Sequence, residues 1–233
     1  MGFFDFLRET PRYEGRPERV DRLDSRHRFL VEPYANELAG ARVLDLAAHD
    51  GRWAYAMSAA GASFVHAVEP EEDNAAGFAH FPAGPVKDRV RMRVGDVLDL
   101  LALEVEAGRR YDVVTVLGLL HRTAEHARML SLVHALSPRL VIVDAAVLPR
   151  EAPMIRLSEE PARRAGLEVG PPTVVVGVPS ASALELLART LGYDVTWCDL
   201  DRLPAEERVG LDDYFRPAGA RVRRSCALRP ATA

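Results

Sequence analysis

The segment VLDLAAHDGRWAYA, residues 43–56, decides the fold. Its first residues are apolar and typical of a buried strand, AAHDG supplies a turn, and RWAYA continues as a helix. A nucleotide-binding loop in this place usually carries three glycines. Here only Gly51 is a glycine, because Ala47 and His49 occupy the other two positions. The segment therefore predicts a strand–turn–helix corner with an altered loop.

The composition is that of an ordinary globular protein. The chain has 233 residues, of which 48% are apolar and 27% are charged, and its net charge is −4. An acidic chain does not attract nucleic acid through bulk charge, so we expect no DNA partner. No apolar run approaches the roughly 20 residues that span a bilayer. We therefore expect no membrane partner and a cytoplasmic protein with two reduced cysteines, Cys198 and Cys226.

Apolar strands and helical segments alternate along most of the chain. The predicted strands cover 41–47, 63–70, 89–97, 111–120, 139–147, 172–178, 194–200 and 220–230. Continuous apolar strands between helices indicate a mostly parallel sheet that is covered on both faces. The sequence thus predicts a doubly wound α/β fold with an antiparallel C-terminal strand and an extra strand after the fifth.

The chain divides near Gly40. Residues 1–39 are predicted to form an N-terminal helical segment that acts as a lid, broken at Pro33, and residues 40–233 to form a single domain. Residues 149–172 are rich in Pro, Arg and Glu, and they are predicted to form a loop or insertion that flanks the active site. The extra strand at 172–178 could extend or cover a sheet edge across a homodimer.

Four side chains near predicted strand ends indicate what the corner binds. His49 would obstruct a pyrophosphate, which argues against NAD or FAD and against an oxidoreductase. Glu69 ends the second strand and can accept both hydroxyls of a ribose. Asp96 is placed to bind an adenine amino group, and Asp45 to bind a cationic amino group. A site for a nucleoside that carries an amino acid is thus described by four residues, namely Asp45, Gly51, Glu69 and Asp96.

Five motifs, in order, resemble those of class I S-adenosylmethionine-dependent methyltransferases. They are VLDLAAHDG, HAVEP, VGDV, YDVVTVLGLLHR and LSPRLVIVDAAV, and the match covers roughly residues 40–200. The resemblance implies a Rossmann-like fold and S-adenosylmethionine as cofactor. It also implies a set of cofactor-binding residues. These are Asp45, Ala47, His49, Gly51, Glu69, Asp96, Val97 and Leu117.

Two narrower resemblances concern the acceptor. VGVPSASALELLARTLGY is similar to a segment of enzymes that carboxymethylate the tRNA wobble uridine, although Leu120 replaces their tyrosine. Small bacterial sugar O-methyltransferases, including actinobacterial enzymes that methylate polysaccharide mannosides, resemble the chain better in size and composition. We therefore expect O-methylation of a small acceptor or oligosaccharide in polysaccharide biosynthesis. A tRNA-modifying enzyme and a catalytically silent cofactor-binding protein are the alternatives.

A sugar hydroxyl needs a base or a metal ion to become a good nucleophile. His121 follows the fourth strand and Asp144 ends the fifth, where parallel strands place ligands. His121 is predicted to be the general base, and Asp144 to orient its imidazole or to bind a divalent cation. Mg²⁺ prefers oxygen ligands, and Asp144 and Glu151 are the candidates. A loop or helix-capping histidine is the alternative for His121.

One of three arginines in the N-terminal helical segment is expected to reach the cofactor carboxylate if that segment closes over the site. The sequence does not distinguish Arg22, Arg26 and Arg28, and the alternative for all three is a solvated helix face.

Overall fold

A computed structural model describes residues 2–162, 172–216 and 221–232. The strands in these residues are β1 (Arg42–Leu46), β2 (Phe64–Glu69), β3 (Val90–Val94), β4 (Val113–Leu117), β5 (Leu140–Val147), β6 (Ile155–Pro161), β7 (Thr173–Pro179), β8 (Tyr193–Trp197) and β9 (Val222–Pro230). Seven of them form one sheet in the order β3-β2-β1-β4-β5-β9-β8.

The sheet is parallel from β3 to β5, and β9 is antiparallel to both β5 and β8. Strands β1, β4 and β5 lie in the middle and are buried along nearly all of their length. Helices cover both faces of a parallel sheet, so its central strands are buried on both sides. For this reason the sequences of these three strands are nearly continuous apolar runs. The prediction of a mostly parallel, Rossmann-like α/β sheet with an antiparallel C-terminal strand is confirmed.

The helices connect the strands and cover the sheet. In the described residues they are α1 (Pro17–Leu30), α2 (Ala35–Leu38), α3 (Arg52–Ala59), α4 (Glu72–Ala76), α5 (Pro85–Asp88), α6 (Val97–Glu106), α7 (His126–Ala135) and α8 (Ala181–Thr190). Short 3-10 turns lie at Asp5–Glu9, Glu32–Tyr34, Gly77–His80, Leu120–Arg122, Leu200–Arg202 and Ala205–Glu207. None of these helices is long and apolar enough to cross a bilayer.

Two apolar cores lie on the two faces of the sheet. On one face, the N-terminal segment packs with α3, and Phe4 and Leu7 are fully buried. The ring of Phe4 meets that of Trp53 edge-on at 5.3 Å. On the other face, α6, α7 and α8 bury residues such as Leu101 and Met129. The beginning of the chain is therefore part of the core, while the lid role of residues 1–39 stays a prediction.

Strands β6 and β7 form a separate two-stranded antiparallel sheet. The predicted extra strand is β7, but its partner β6 lies in the segment that was predicted to be a loop or insertion. That prediction was wrong at β6 because its residues are mostly exposed and its apolar alternation ends after Leu157. One face of this hairpin is apolar and open, with Leu157 60% and Val175 56% exposed. The hairpin pairs within one chain, and a homodimer stays a prediction.

A close approach at Gly177 docks the hairpin onto the main body. Its backbone N–H donates to the carbonyl oxygen of Thr123 at 3.0 Å. A Cβ added at Gly177 would lie 2.8 Å from Cε1 of His126 and 3.2 Å from that carbonyl oxygen. The absence of a side chain at this position thus lets β7 contact the turn that precedes α7.

Gly177→Ala should lower the free energy of unfolding by about 1–3 kcal/mol, because the added methyl overpacks this contact. Urea unfolding monitored by circular dichroism measures the change. The same substitution in a His126→Ala background should cost less, since one of the two side chains that the methyl strikes is gone, while Cγ2 of Ile155 remains at 2.8 Å. An equal cost in both backgrounds would contradict the proposed contact.

Candidate active site

The loop after β1 has the backbone shape of a glycine-rich loop although two of the glycines are missing. Ala47, His49 and Gly51 have φ angles of 55°, 56° and 79°. These values lie in the left-handed region, which costs residues with a side chain roughly 1–2 kcal/mol each. A Cβ at Gly51 would also lie 2.6 Å from the ring of Phe78. Glycine is therefore required only at the last of the three positions.

Backbone hydrogen bonds hold the loop in this shape. Ala48 N–H donates to the carbonyl of Val68 at 2.9 Å, and Gly51 N–H donates to the carbonyl of Ala48 at 3.0 Å. His49 N–H donates to Oε2 of Glu69 at 2.7 Å. These contacts join the loop to the end of β2 and offset the cost of its conformation.

A cavity of about 240 Å³ opens beside this loop, at the carboxyl ends of β1, β2 and β4. Four predicted cofactor-binding residues line it, namely Ala47, His49, Glu69 and Leu117, and so does His121. The other lining residues are Arg26, Ala48, Arg52, Trp53, Pro70, Asn74, Gly118, Leu119, Arg122 and Arg223. Ligands of open α/β sheets bind at this edge, so the cavity is the candidate active site.

Glu69 is held rigidly at the edge of the cavity. It is only 4% exposed, and its Oε2 accepts from the backbone of His49. Its Oε1 accepts from Glu71 N–H at 3.2 Å and from Asn74 Nδ2 at 3.1 Å. A carboxylate offers about four acceptor positions, so these three donors leave roughly one for a ligand hydroxyl.

Asp45 and Asp96 do not line the cavity. Asp45 is buried, and its Oδ1 accepts from Thr115 Oγ1 at 2.6 Å, while Oδ2 is buried without a hydrogen-bond partner. Burial, with the nearby charge of Glu69, raises the pKa of Asp45 to about 7. Asp96 caps α6, where its Oδ1 accepts from the N–H groups of Leu98 and Asp99. The cofactor contacts predicted for Asp45, Asp96 and its neighbour Val97 stay predictions.

Asp144 is the centre of a buried polar network. It is 0% exposed and accepts from Arg26 at 3.0 Å, from Ser225 Oγ at 2.6 Å, and from the side chains of Tyr214 and Arg223. Burial alone would raise its pKa, but Arg223 and Arg26 hold the pKa well below its ordinary range.

Four donors occupy the two oxygens of Asp144, so it anchors neighbouring elements. The roles predicted for Asp144, to orient the imidazole of His121 or to bind a divalent cation, stay predictions. Glu151, the other candidate magnesium ligand, is exposed. In the described part of the chain, no three His, Cys, Asp or Glu side chains cluster as metal ligands would.

His121 lines the cavity as predicted, but its protonation does not suit a general base. The N–H of Ala146 donates to His121 Nδ1 at 3.3 Å. A backbone N–H can only donate, so in the neutral ring Nε2 carries the hydrogen. Burial, together with Arg223 and Arg122, lowers the pKa of His121 to about 3. The imidazole is thus a weak base and can donate from Nε2 to an oxygen of a ligand.

The sequence alone did not identify the arginines of the cavity as a group. Arg26, Arg52, Arg122 and Arg223 all line it, and Arg26 is largely buried. For Arg26 a signal existed, because it lies three residues from both Leu23 and Phe29 on the apolar face of α1. Arg26 is the member of the trio Arg22, Arg26 and Arg28 that lines the cavity. For Arg223, no feature of the sequence indicated a place in the cavity, and only the structure shows it there.

Neither a family model nor a curated protein sequence matches this chain. Solved structures do match its backbone. The N-terminal domain of EvdMO1 with SAH (S-adenosylhomocysteine) bound is 15% identical, with a TM-score of 0.64 over 91% of this chain and 81% of that one. A putative S-adenosylmethionine-dependent methyltransferase from Listeria monocytogenes is 15% identical, with a TM-score of 0.60 over 84% and 93%.

A third match is the 1,6-didemethyltoxoflavin-N1-methyltransferase of Burkholderia thailandensis, with its substrate and S-adenosylhomocysteine bound. It is 20% identical, with a TM-score of 0.53 over 91% of this chain and 84% of that one. The chain has the methyltransferase fold. At these identities the similarity concerns the backbone, in agreement with the fold that the five motifs imply.

Ala47→Gly should raise the free energy of unfolding by about 0.5–1 kcal/mol, because glycine relieves the left-handed strain but costs more chain entropy. The neighbouring Ala48→Gly is the matched control. Ala48 has no positive φ angle and is buried, so this change should lower stability. Urea unfolding of both variants gives the comparison. Destabilisation of similar size in both would contradict the described loop conformation.

His121→Asn tests the depressed histidine pKa. The neutral ring is favoured in the folded state, so its contribution is complete above the unfolded pKa of about 6.5 and is lost as the pH falls toward 3. Between pH 7 and pH 5, wild type should lose up to about 2 kcal/mol more stability than the variant. The exposed His80→Asn serves as control and should follow wild type. Parallel pH profiles for wild type and His121→Asn would show that the ring is not buried in neutral form.

Proposed function

We propose that the chain is an S-adenosylmethionine-dependent methyltransferase. The observation that carries this proposal is the cavity itself, in which a left-handed loop and the fixed carboxylate of Glu69 meet at the ends of β1 and β2. Glu69 has acceptor capacity for a ribose hydroxyl, and His49 N–H already ties that carboxylate to the loop. The residues therefore suit a nucleoside without a pyrophosphate.

The acceptor is a hydroxyl group of a small saccharide, and a mannoside of an actinobacterial polysaccharide is the candidate that the sequence resemblance suggests. The donors around the cavity support an oxygen-rich acceptor, because the Nε2–H of His121 and the guanidinium groups of Arg122 and Arg223 can donate to hydroxyl oxygens. The N-terminal domain of EvdMO1, which shares the fold at a TM-score of 0.63, was solved in the presence of SAH and D-fucose.

The bound cofactor supplies a methyl group on a sulfonium sulfur. Glu69 and the loop after β1 would hold this cofactor, whose methyl carbon would exchange its bond to sulfur for a bond to the acceptor oxygen, with the electron pair left on sulfur. The hydroxyl proton passes to a base from the solvent, such as hydroxide, since the lowered pKa makes His121 a weak base and Asp144 is fully hydrogen-bonded. The protein contributes mainly position, because it holds the two reactants in line within one cavity.

Calorimetric titration with S-adenosylhomocysteine tests the cofactor site, with NADH as the control ligand. Glu69→Ala should weaken S-adenosylhomocysteine binding about tenfold or more, because ribose hydrogen bonds and the support of the loop are lost together. Glu72→Ala, an exposed carboxylate on α4, is the matched control and should leave the affinity unchanged. Unchanged affinity in a folded Glu69→Ala variant would remove Glu69 from the site, and absence of binding to wild type would overturn the proposal.

Methyl transfer itself is tested by supplying S-adenosylmethionine with saccharides of the mannoside class and detecting the methylated product by mass spectrometry. Binding of S-adenosylhomocysteine without transfer to any acceptor would favour a silent cofactor-binding protein. Asp144→Ala is unsuitable as an inactive control, because it would leave Arg26 and Arg223 without their carboxylate.

A further inference from the structure

One side of the cavity is lined by arginines. We call it the acceptor side and define it by Arg26 of α1, His121 and Arg122 of the turn after β4, and Arg223 of β9. The opposite side is formed by the loop after β1 and by Glu69. Three guanidinium groups and one neutral imidazole therefore face the space in which an acceptor would lie.

The carboxylates around the acceptor side do not balance these charges. Arg26 and Arg223 share a single partner, Asp144. The guanidinium of Arg122 makes no hydrogen bond and no ion pair with any residue that the structure describes. Within the described residues, three cations thus have one hydrogen-bonded carboxylate among them, and Glu69 and Glu160 act on Arg122 only through their charge, so none of its donors is occupied by a described residue.

The electrostatic environment of Arg122 agrees with this excess of cations over carboxylates. The side chain of Arg122 is exposed, but partial desolvation at the cavity wall and the neighbouring charge of Arg223 lower its pKa, while the charges of Glu69 and Glu160 oppose this shift without cancelling it. The pKa of His121 is lowered by burial and by the same two arginines. The acceptor side is therefore short of negative charge.

A second cavity of about 260 Å³ continues this surface. It shares Arg26, His49 and Arg52 with the first, and no carboxylate lines it. Its other lining residues are Arg12, Tyr13, Arg19, Arg22 and Leu23. The side chain of Arg19 makes no hydrogen bond or ion pair with the described residues, and Arg12 contacts only His49 Nε2 and a backbone carbonyl. Arg22 and Arg52 are paired with Asp213 and Asp50, so the excess positive charge of this cavity comes from Arg12 and Arg19. A cleft with an excess of one sign of charge concentrates ligands of the opposite sign.

We propose that the acceptor carries an anionic group, a carboxylate or a phosphate, and that Arg122 binds it. A free guanidinium beside two others is suited to such a group, because its planar fork matches carboxylate and phosphate oxygens. The inference rests on the proposed methyl transfer and names the class of saccharide at that site. Arg122 is then a specificity-determining residue, and the arginines of the second cavity attract the acceptor toward it.

The test compares neutral and anionic sugars of matched structure. Protein saturated with S-adenosylhomocysteine is titrated calorimetrically with D-glucuronate against D-glucose, and with D-mannose 6-phosphate against D-mannose. At least one anionic member should bind about tenfold or more tightly than its neutral partner at low salt, and the preference should shrink as salt screens the charges. A larger preference in the glucuronate pair would identify a carboxylate as the anionic group, and a larger preference in the mannose 6-phosphate pair would identify a phosphate.

Two variants locate the effect. Arg122→Gln should abolish the preference for the anionic sugar and leave S-adenosylhomocysteine affinity unchanged. Arg128→Gln, an exposed arginine on α7 outside both cavities, should keep the preference. If Arg122→Gln instead weakens S-adenosylhomocysteine binding, Arg122 holds the carboxylate of the cofactor and the inference is wrong.

Equal binding within both pairs, or no binding of either anionic sugar at millimolar concentration, also overturns the inference. The titrations are repeated without S-adenosylhomocysteine. If wild type does not bind S-adenosylhomocysteine, only the proposed function is contradicted. The comparison of charged and neutral sugars without S-adenosylhomocysteine still tests the inference.

Discussion

The architecture around the cavity depends on one buried carboxylate. Asp144, which was predicted to end the fifth strand, lies within β5 because this strand continues to Val147 in its pairing with β9. It accepts hydrogen bonds from α1 through Arg26, from the segment before β9 through Tyr214, and from β9 through Arg223 and Ser225. A buried charge is tolerated only where charged partners and further hydrogen bonds replace water, and loss of one partner typically costs about 3–5 kcal/mol. The position of α1 over the cavity is thus fixed by electrostatics as well as by apolar packing.

A second carboxylate, that of Glu69, joins the loop after β1 to the wall of the cavity. Glu69 accepts from the backbone of His49, which is one of two non-glycine residues of this loop in left-handed conformation. The same group lies in the cavity wall. Loop conformation and ligand contact therefore depend on one side chain, and Asn74 on α4 keeps that side chain in place. The loop does not need glycine at all three positions because these bonds offset the strain.

Much of this arrangement could be predicted from the sequence because it depends on local pattern. The runs of β1, β4 and β5 are mostly apolar and almost fully buried, and such a run between helical segments is typical of a parallel strand. The sequence also indicated that a carboxylate within VIVDAAV needs a partner, but it did not name Arg223 or Tyr214. These residues lie 79 and 70 positions away along the chain, and only folding brings them to Asp144. The sequence did not predict β6 for a related reason. This strand is defined by its hydrogen bonds to β7, and its residues are not buried in a core.

The order of the strands has a consequence for biosynthesis. β9 follows every other described strand in the chain, yet it is inserted between β5 and β8. During synthesis the edge of β5 remains unpaired until β9 has emerged from the ribosome, and β8 has no sheet to join until then. At ordinary elongation rates this interval is on the order of seconds, during which an apolar strand edge is exposed to other chains. Newly made chains should therefore depend on chaperones at this stage more than a protein whose sheet grows in sequence order.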